Sequence, residues 1–230
     1  MSTHTPSRTA SAPGAARPVR LVVVSAGMSD ASSTRLLADR LTEATRDALG
    51  PAPVRITRVD LRPLAHAITD HLLTGFPAPA LQEALEAVSG ADALIAATPT
   101  FKASYAGLFK SFFDLVEEDA LEDLPVLVAA TGGTARHSLM LDTALRPLFA
   151  HLKAFVLPVG VYAATEDWAG EELQARIRRA GAHLASQLAP GRAPEVPAAG
   201  EAPAGASGRP GGDGFADVPD FADLLARTGQ

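Results

Sequence analysis

The residues Leu21-Val22-Val23-Val24 form an unbroken apolar run, three of them β-branched, that stops at Ser25-Ala26-Gly27. An apolar run without polar alternation suits a strand buried on both faces, as in a parallel sheet. Parallel neighbours cannot be joined by a tight hairpin and need a crossover, usually a helix. The chain supplies one. After Ser32-Ser33-Thr34, residues 35–49 carry Leu36, Leu37, Leu41, Ala44 and Ala48 at helical spacing, and Gly50-Pro51 stops them.

The same unit recurs along the chain. Residues 54–61 alternate apolar and charged positions, as an outer strand does, and residues 66–79 look irregular. Residues 80–88 predict a second helix, 93–97 a third strand stopped by Thr98-Pro99, and 107–117 a third helix. Residues 126–130 predict a fourth strand stopped by Gly132-Gly133, and 138–152 a fourth helix with Pro147 as a kink or break. Residues 155–162 predict a fifth strand and 171–188 a final helix. Strict alternation of this kind gives a parallel sheet covered by helices. The expected fold class is α/β: a flavodoxin-like three-layer sandwich whose five-stranded parallel sheet runs in the order 2-1-3-4-5, with helices on both faces. The domain is expected over residues 19–189. Residues 1–18 are expected to be a disordered leader. Residues 190–230 are expected to be an Ala/Gly/Pro-rich tail with a short apolar end segment holding Phe215, Val218, Phe221, Leu224 and Leu225.

Composition removes several function classes. The chain has no Cys, so disulfides, iron–sulfur clusters, thiolate metal sites and Cys nucleophiles are excluded. Redox chemistry would need a bound organic cofactor or a metal on N and O ligands. A formal net charge of −6 disfavours nucleic acid as a partner. The run at residues 21–24 is too short for a signal-peptide core or a membrane span, so a cytoplasmic protein is expected. His66 and His71 lack a carboxylate at suitable spacing, and no metal site is expected.

In open α/β sheets ligands sit beyond the carboxyl ends of the strands, where strand order reverses. Three loops would meet there. The first, residues 25–34, carries five hydroxyls (Ser25, Ser29, Ser32, Ser33, Thr34) and Gly27, and runs straight into a helix N-terminus. Free N–H groups and the helix dipole favour an anion there. Both the Walker ending and the dinucleotide glycine spacing are missing, so a phosphate monoester fits better than ATP or a dinucleotide. Simple N-capping by Ser32 or Ser33 accounts for the same residues. The second loop, Thr98-Pro99-Thr100-Phe101-Lys102-Ala103-Ser104, sets an aromatic beside a rigid Pro and small residues. That suits a flat ring, or equally a strand-to-helix turn with a core Phe. In the third, Thr131-Gly132-Gly133-Thr134, paired glycines allow close approach to a planar ligand, or make a flexible turn.

At these residues the chain resembles the NADPH-dependent FMN reductase family. The resemblance covers about residues 19–188 and is carried by Thr98-Pro99-Thr100-Phe101-Lys102-Ala103-Ser104-Tyr105-Ala106-Gly107-Leu108-Phe109-Lys110 and by Ala130-Thr131-Gly132-Gly133-Thr134-Ala135-Arg136-His137. Within the family it looks most similar to reductases that supply reduced flavin to two-component monooxygenases. The resemblance implies an NAD(P)H:FMN oxidoreductase using FMN with NADPH or NADH. Its alternatives are an FMN-bound quinone, azo or chromate reductase and, less favoured, a flavodoxin-like electron carrier. It implies that Ser25, Ser32, Ser33 and Thr34 hold the FMN phosphate. Pro99, Thr100, Phe101, Lys102 and Ala103 would contact ribityl chain and ring, and Thr131, Gly132, Gly133 and Thr134 the pyrimidine side. No residue is assigned as a catalytic acid or base, because hydride transfer belongs to the cofactors. Arg136 is a candidate for the 2′-phosphate of NADPH, and Lys110 for an ion pair with Asp114. A homodimer or tetramer is expected, partly because Leu108, Phe109, Phe112, Phe113, Leu141, Leu145, Leu148 and Phe149 exceed what one sheet face would bury. Some sulfonate-type relatives carry an aromatic insertion that makes a π-bulge in the fourth helix. Here Thr143 stands where that Tyr is expected, which argues against a π-bulge.

Overall fold

The computed structural model describes residues 17–29 and 31–188. The expected leader up to residue 16 and the expected tail with its apolar segment lie outside the described residues. The domain is tied down from Arg17 onward. Arg17 and Arg20 both donate to the Asp92 carboxylate, at 2.8 and 3.1 Å. Burial pushes that carboxyl up, but the hydrogen bonds from Arg20 and Arg17 outweigh it and hold it at about 2.

Strand β1 (Val19–Ser25) lies between β2 (Val54–Asp60) and β3 (Ala93–Phe101), parallel to both. β3 pairs in parallel with β5 (Pro125–Gly132) and antiparallel with the two-residue β4 (Ser104–Tyr105). β5 carries β6 (Phe155–Val156) and β7 (Val161–Ala164) along its other side. The principal order is therefore the expected one. The expected fifth strand, however, is broken. Pro158 has no N–H to continue a ladder, and the chain steps out between β6 and β7. The Arg146 guanidinium takes up the two carbonyls this releases, Leu157 O at 2.6 Å and Pro158 O at 2.7 Å.

Residues of β1 alternate between two cores, as burial on both faces requires. Leu21 and Val23 pack with α1 (Ser33–Leu49) and α6 (Glu171–Leu188), among Leu37, Leu41, Ile177 and Leu184. Val22 and Val24 face the other layer, with α2 (Ala65–Thr74), α3 (Pro79–Ser89), α4 (Gly107–Phe113) and α5 (Arg146–His151). In that layer Phe109, Phe112, Phe113 and Phe149 are fully enclosed, with ring centroids 4.7–6.2 Å apart. These rings, with Leu141 and Leu145, are buried inside one chain. The apolar surplus offered as a reason for dimerisation is thus largely used internally.

Two further expectations change. Residues 65–74, expected to be irregular, form α2, which ends at Gly75 in the left-handed region (φ 78°). Its only buried residue is Ile68, too little for a periodic signal. The single helix expected over 138–152 is a 3-10 turn (Ala135–His137), a π-helical turn (Leu141–Leu145) and α5. The π-turn exists with Thr143 in it, against expectation. Pro147 explains it: in a regular helix its ring would clash with the carbonyl of Thr143 and offer no N–H. Widening the turn removes that conflict, and the Arg146 N–H reaches back to Leu141 O.

Candidate functional site

Register brings the loops together. Ser25 stands opposite Asp60 on one side and Ala97 on the other, and Pro99 stands opposite Thr131. The segments after β1, β2, β3 and β5 therefore leave the sheet side by side.

The first loop is pinned at its base. Ala26 N–H donates to Ala97 O at 3.0 Å, and Leu61 N–H to Ser25 O at 2.9 Å. Ser32 is the N-cap of α1 and accepts the Arg35 N–H at 3.3 Å. A Cβ at position 27 would lie 2.1 Å from Ser32 Oγ and 2.7 Å from Ser32 Cβ, so only Gly lets the loop fold onto its own helix cap. The N–H groups of Ser33 and Thr34 have no intrahelical acceptor and face the helix N-terminal end. A cavity of about 410 Å³ opens here, lined by Ser25, Ser29, Ser32 and Arg35 and, from the far side, by Asp60, Arg62 and His66. Arg35 lies 3.5 Å from Asp60. The last three residues were missed by the sequence reading. The signal was indirect: whichever strand pairs with β1 must deliver its following loop to this spot.

The second loop is a hairpin tip, not a simple strand-to-helix turn. β3 runs four residues beyond its expected end, then turns through Lys102 (φ 51°) and Ala103 (φ 63°) into β4. Two successive left-handed non-Gly residues cost roughly 1–2 kcal/mol each. Thr98 Oγ1 steadies the base, accepting the Ala106 N–H and donating to Pro99 O, both at 3.0 Å. Phe101 is 49% exposed, which removes the core-Phe explanation. Thr100 Oγ1 is buried without a hydrogen-bond partner.

The third loop is held from behind. The Thr131 and Thr34 hydroxyls, both buried, lie 2.7 Å apart and bond to each other, joining β5 to the first turn of α1. Tyr162 Oη donates to Thr134 O at 3.0 Å. A Cβ on Gly132 would fall 2.0 Å from that Oη. Tyr162, also missed from sequence, is the strut of this loop; a buried Tyr hydroxyl at a strand end needs such a partner. Gly133 is exposed, and Arg136 and His137 are exposed on the 3-10 turn.

Of the proposed cofactor residues, the structure gathers Ser25 and Ser32 around the cavity. Ser33 is exposed on the helix start, while Thr34 and Thr131 turn their hydroxyls to one another. Pro99 and Thr100 are half-buried, Phe101, Lys102 and Ala103 form the exposed tip, and Gly132 and Thr134 sit against Tyr162. Lys110 pairs with Asp114 as expected. The arrangement fits a flavin mononucleotide. Neutral hydroxyls and helix N–H groups suit its phosphate, Gly133 leaves open space beside its backbone, and Thr100 offers an unspent hydroxyl.

The NADPH-dependent FMN reductase family matches residues 19–169. An FMN reductase (NADPH) from Pseudomonas aeruginosa is 40% identical over 76% of this chain and 95% of its own length. The NADH-dependent FMN reductase SfnF of Pseudomonas fluorescens is 42% identical over 74% of this chain and 91% of its own. The crystal structure of an oxidoreductase from Corynebacterium diphtheriae superposes with a TM-score of 0.72 at 44% identity, over 74% of this chain and 97% of that one.

Proposed function

Because this chain belongs to the NADPH-dependent FMN reductase family, an oxidoreductase family that uses FMN with NAD(P)H, we propose that its three loops hold FMN and that the reduced flavin passes to a flavin-dependent monooxygenase. When bound, FMN supplies the hydride chemistry itself. The residues' task is to bind and orient. Ser25, Ser32 and the free N–H groups of Ser33 and Thr34 take the phosphate, with Arg35 nearby. Pro99 to Ala103 and Thr131 to Thr134 form the shelf for the ribityl chain and ring. Thr34, Thr131 and Tyr162 act from behind, holding that shelf in place.

The observation that carries this reading is the juxtaposition by register of a capped helix N-terminus, a strained hairpin and a Gly-Gly loop. The half-exposed Phe101 supports a flavin that exchanges and does not stay as a fixed group. Cofactor exchange in turn supports a partner that takes reduced flavin from solution. We also propose that a second copy of the chain covers the shelf, as a homodimer or as part of a tetramer. Leu139, 67% exposed, supports that cover. We also propose a cytoplasmic location, which the use of NAD(P)H by the family supports. The test is a titration of FMN at constant NAD(P)H. Saturable dependence of the oxidation rate on added FMN is expected. A tightly coloured protein that turns over a quinone but not free FMN would overturn this reading.

A further inference from the structure

The cavity of about 410 Å³ at the α1 N-terminus contains one group that works against its proposed ligand. Helix N–H groups, hydroxyls and the Arg35 guanidinium all favour an anion there. Asp60 opposes one. It is the single carboxylate among the described residues that line the cavity. Its repulsion of a second anion is strongest where the walls exclude part of the water.

The sheet fixes its position. Asp60 ends β2 and stands opposite Ser25 of β1, so their backbones are one strand spacing apart, about 4.8 Å. The next residue, Leu61, donates its N–H to Ser25 O at 2.9 Å and closes that junction. The carboxylate therefore has a rigid stem beside a hydroxyl that the flavin reading gives to the phosphate. Its ion-pair partner is Arg35, at 3.5 Å, which lines the same cavity. That pair is longer than Arg58–Asp39 at 3.0 Å or Arg176–Asp167 at 2.8 Å. Its side chains are 52% and 35% exposed, so it adds little to stability. Its effect falls on the ligand instead. Arg35 is already engaged before an anion arrives, and a phosphate that takes it leaves Asp60 without that cation beside a second anion.

We infer that Asp60 sets how loosely the flavin phosphate is held, chiefly by competing with it for Arg35, so that reduced flavin leaves the site readily. The inference deepens the reading that the three loops hold FMN and rests on it. Riboflavin, which lacks the phosphate, escapes the competition.

The test compares FMN with riboflavin. Each is titrated by flavin fluorescence against wild type, Asp60→Asn and Asp60→Ser, with Asp60→Glu as the conservative variant. Asp39→Asn removes a carboxylate of α1 that lies outside the cavity, and controls for net charge. Both neutral variants at position 60 should bind FMN about tenfold more tightly and release it about tenfold more slowly, with riboflavin binding unchanged. Asp60→Glu and Asp39→Asn should stay within about twofold of wild type for FMN. In an Arg35→Gln background Asp60→Asn should gain about threefold or less. A merely structural role for Asp60 would move FMN and riboflavin together. FMN affinity unchanged or weakened in both neutral variants, an equal gain for riboflavin, or the full gain without Arg35 would overturn the inference and leave the flavin reading standing. FMN binding by none of the proteins would sink the flavin reading, and the inference with it.

Discussion

Gly132 and Tyr162 offer a test in which two separately harmful substitutions should partly cancel. A Cβ on Gly132 would meet Tyr162 Oη at 2.0 Å and Cζ at 3.0 Å. Tyr162 is only 3% exposed and cannot swing aside. Gly132→Ala is therefore an overpacking change, costing about 1–3 kcal/mol. Tyr162→Phe loses the bond to Thr134 O, worth about 1 kcal/mol. If independent, the two would sum to about 2–4 kcal/mol. The double variant lacks the offending oxygen, and the new methyl meets the ring carbon at 3.0 Å and Thr100 Oγ1 at 3.4 Å. Its cost should fall short of the sum by about 1–2 kcal/mol, read as urea midpoints at constant slope. FMN affinity should follow the same order, with Gly132→Ala about fivefold to tenfold weaker and the double variant closer to wild type. Additivity within about 0.5 kcal/mol, or Gly132→Ala as stable as wild type, would refute the packing argument.

Three other perturbations follow from the same geometry. Gly27→Ala would press a methyl against Ser32 Oγ and Cβ; it should displace the α1 cap, cost about 1–3 kcal/mol in thermal melts and weaken FMN binding more than fivefold. Thr34→Val or Thr131→Val alone leaves one buried hydroxyl unpaired and should cost about 1–3 kcal/mol, whereas the double Val variant should lie near wild type; equal costs for all three would contradict the pairing. Asp92, held at about 2 by Arg20 and Arg17 against burial, has a folded pKa below its unfolded value of about 4. Its stabilisation is present above about pH 4 and lost as pH falls towards 2; Asp92→Asn should flatten that part of the stability profile, and an unchanged slope would count against the cluster.

Legibility from the sequence followed how local each cause was. The β1–α1 unit could be read because a β-branched run, a hydroxyl cap and a terminating Gly50 lie within one stretch. The final helix, Glu171–Leu188, was legible throughout for the same reason. The hairpin at Lys102-Ala103 was not, since neither residue favours positive φ and only the pairing of Thr100 with Tyr105 and of Phe101 with Ser104 enforces it. The π-turn comes from Pro147 and not from an aromatic at position 143, where Thr143 stands. Asp60, Arg62 and His66 join the cavity at the α1 N-terminus only through the register of β2 on β1, and Tyr162 reaches Thr134 from 28 residues away. Long-range partners of this kind leave no spacing in the chain to read.

The central claim is that the first, second and third loops hold FMN for reduction by a nicotinamide. The most direct measurement is NAD(P)H oxidation by the purified full-length chain, with and without FMN, beside a fluorescence titration of FMN itself. The account predicts saturable FMN binding, oxidation that depends on added FMN, and both weakened together in Gly27→Ala. No FMN binding, or oxidation indifferent to FMN, would contradict it.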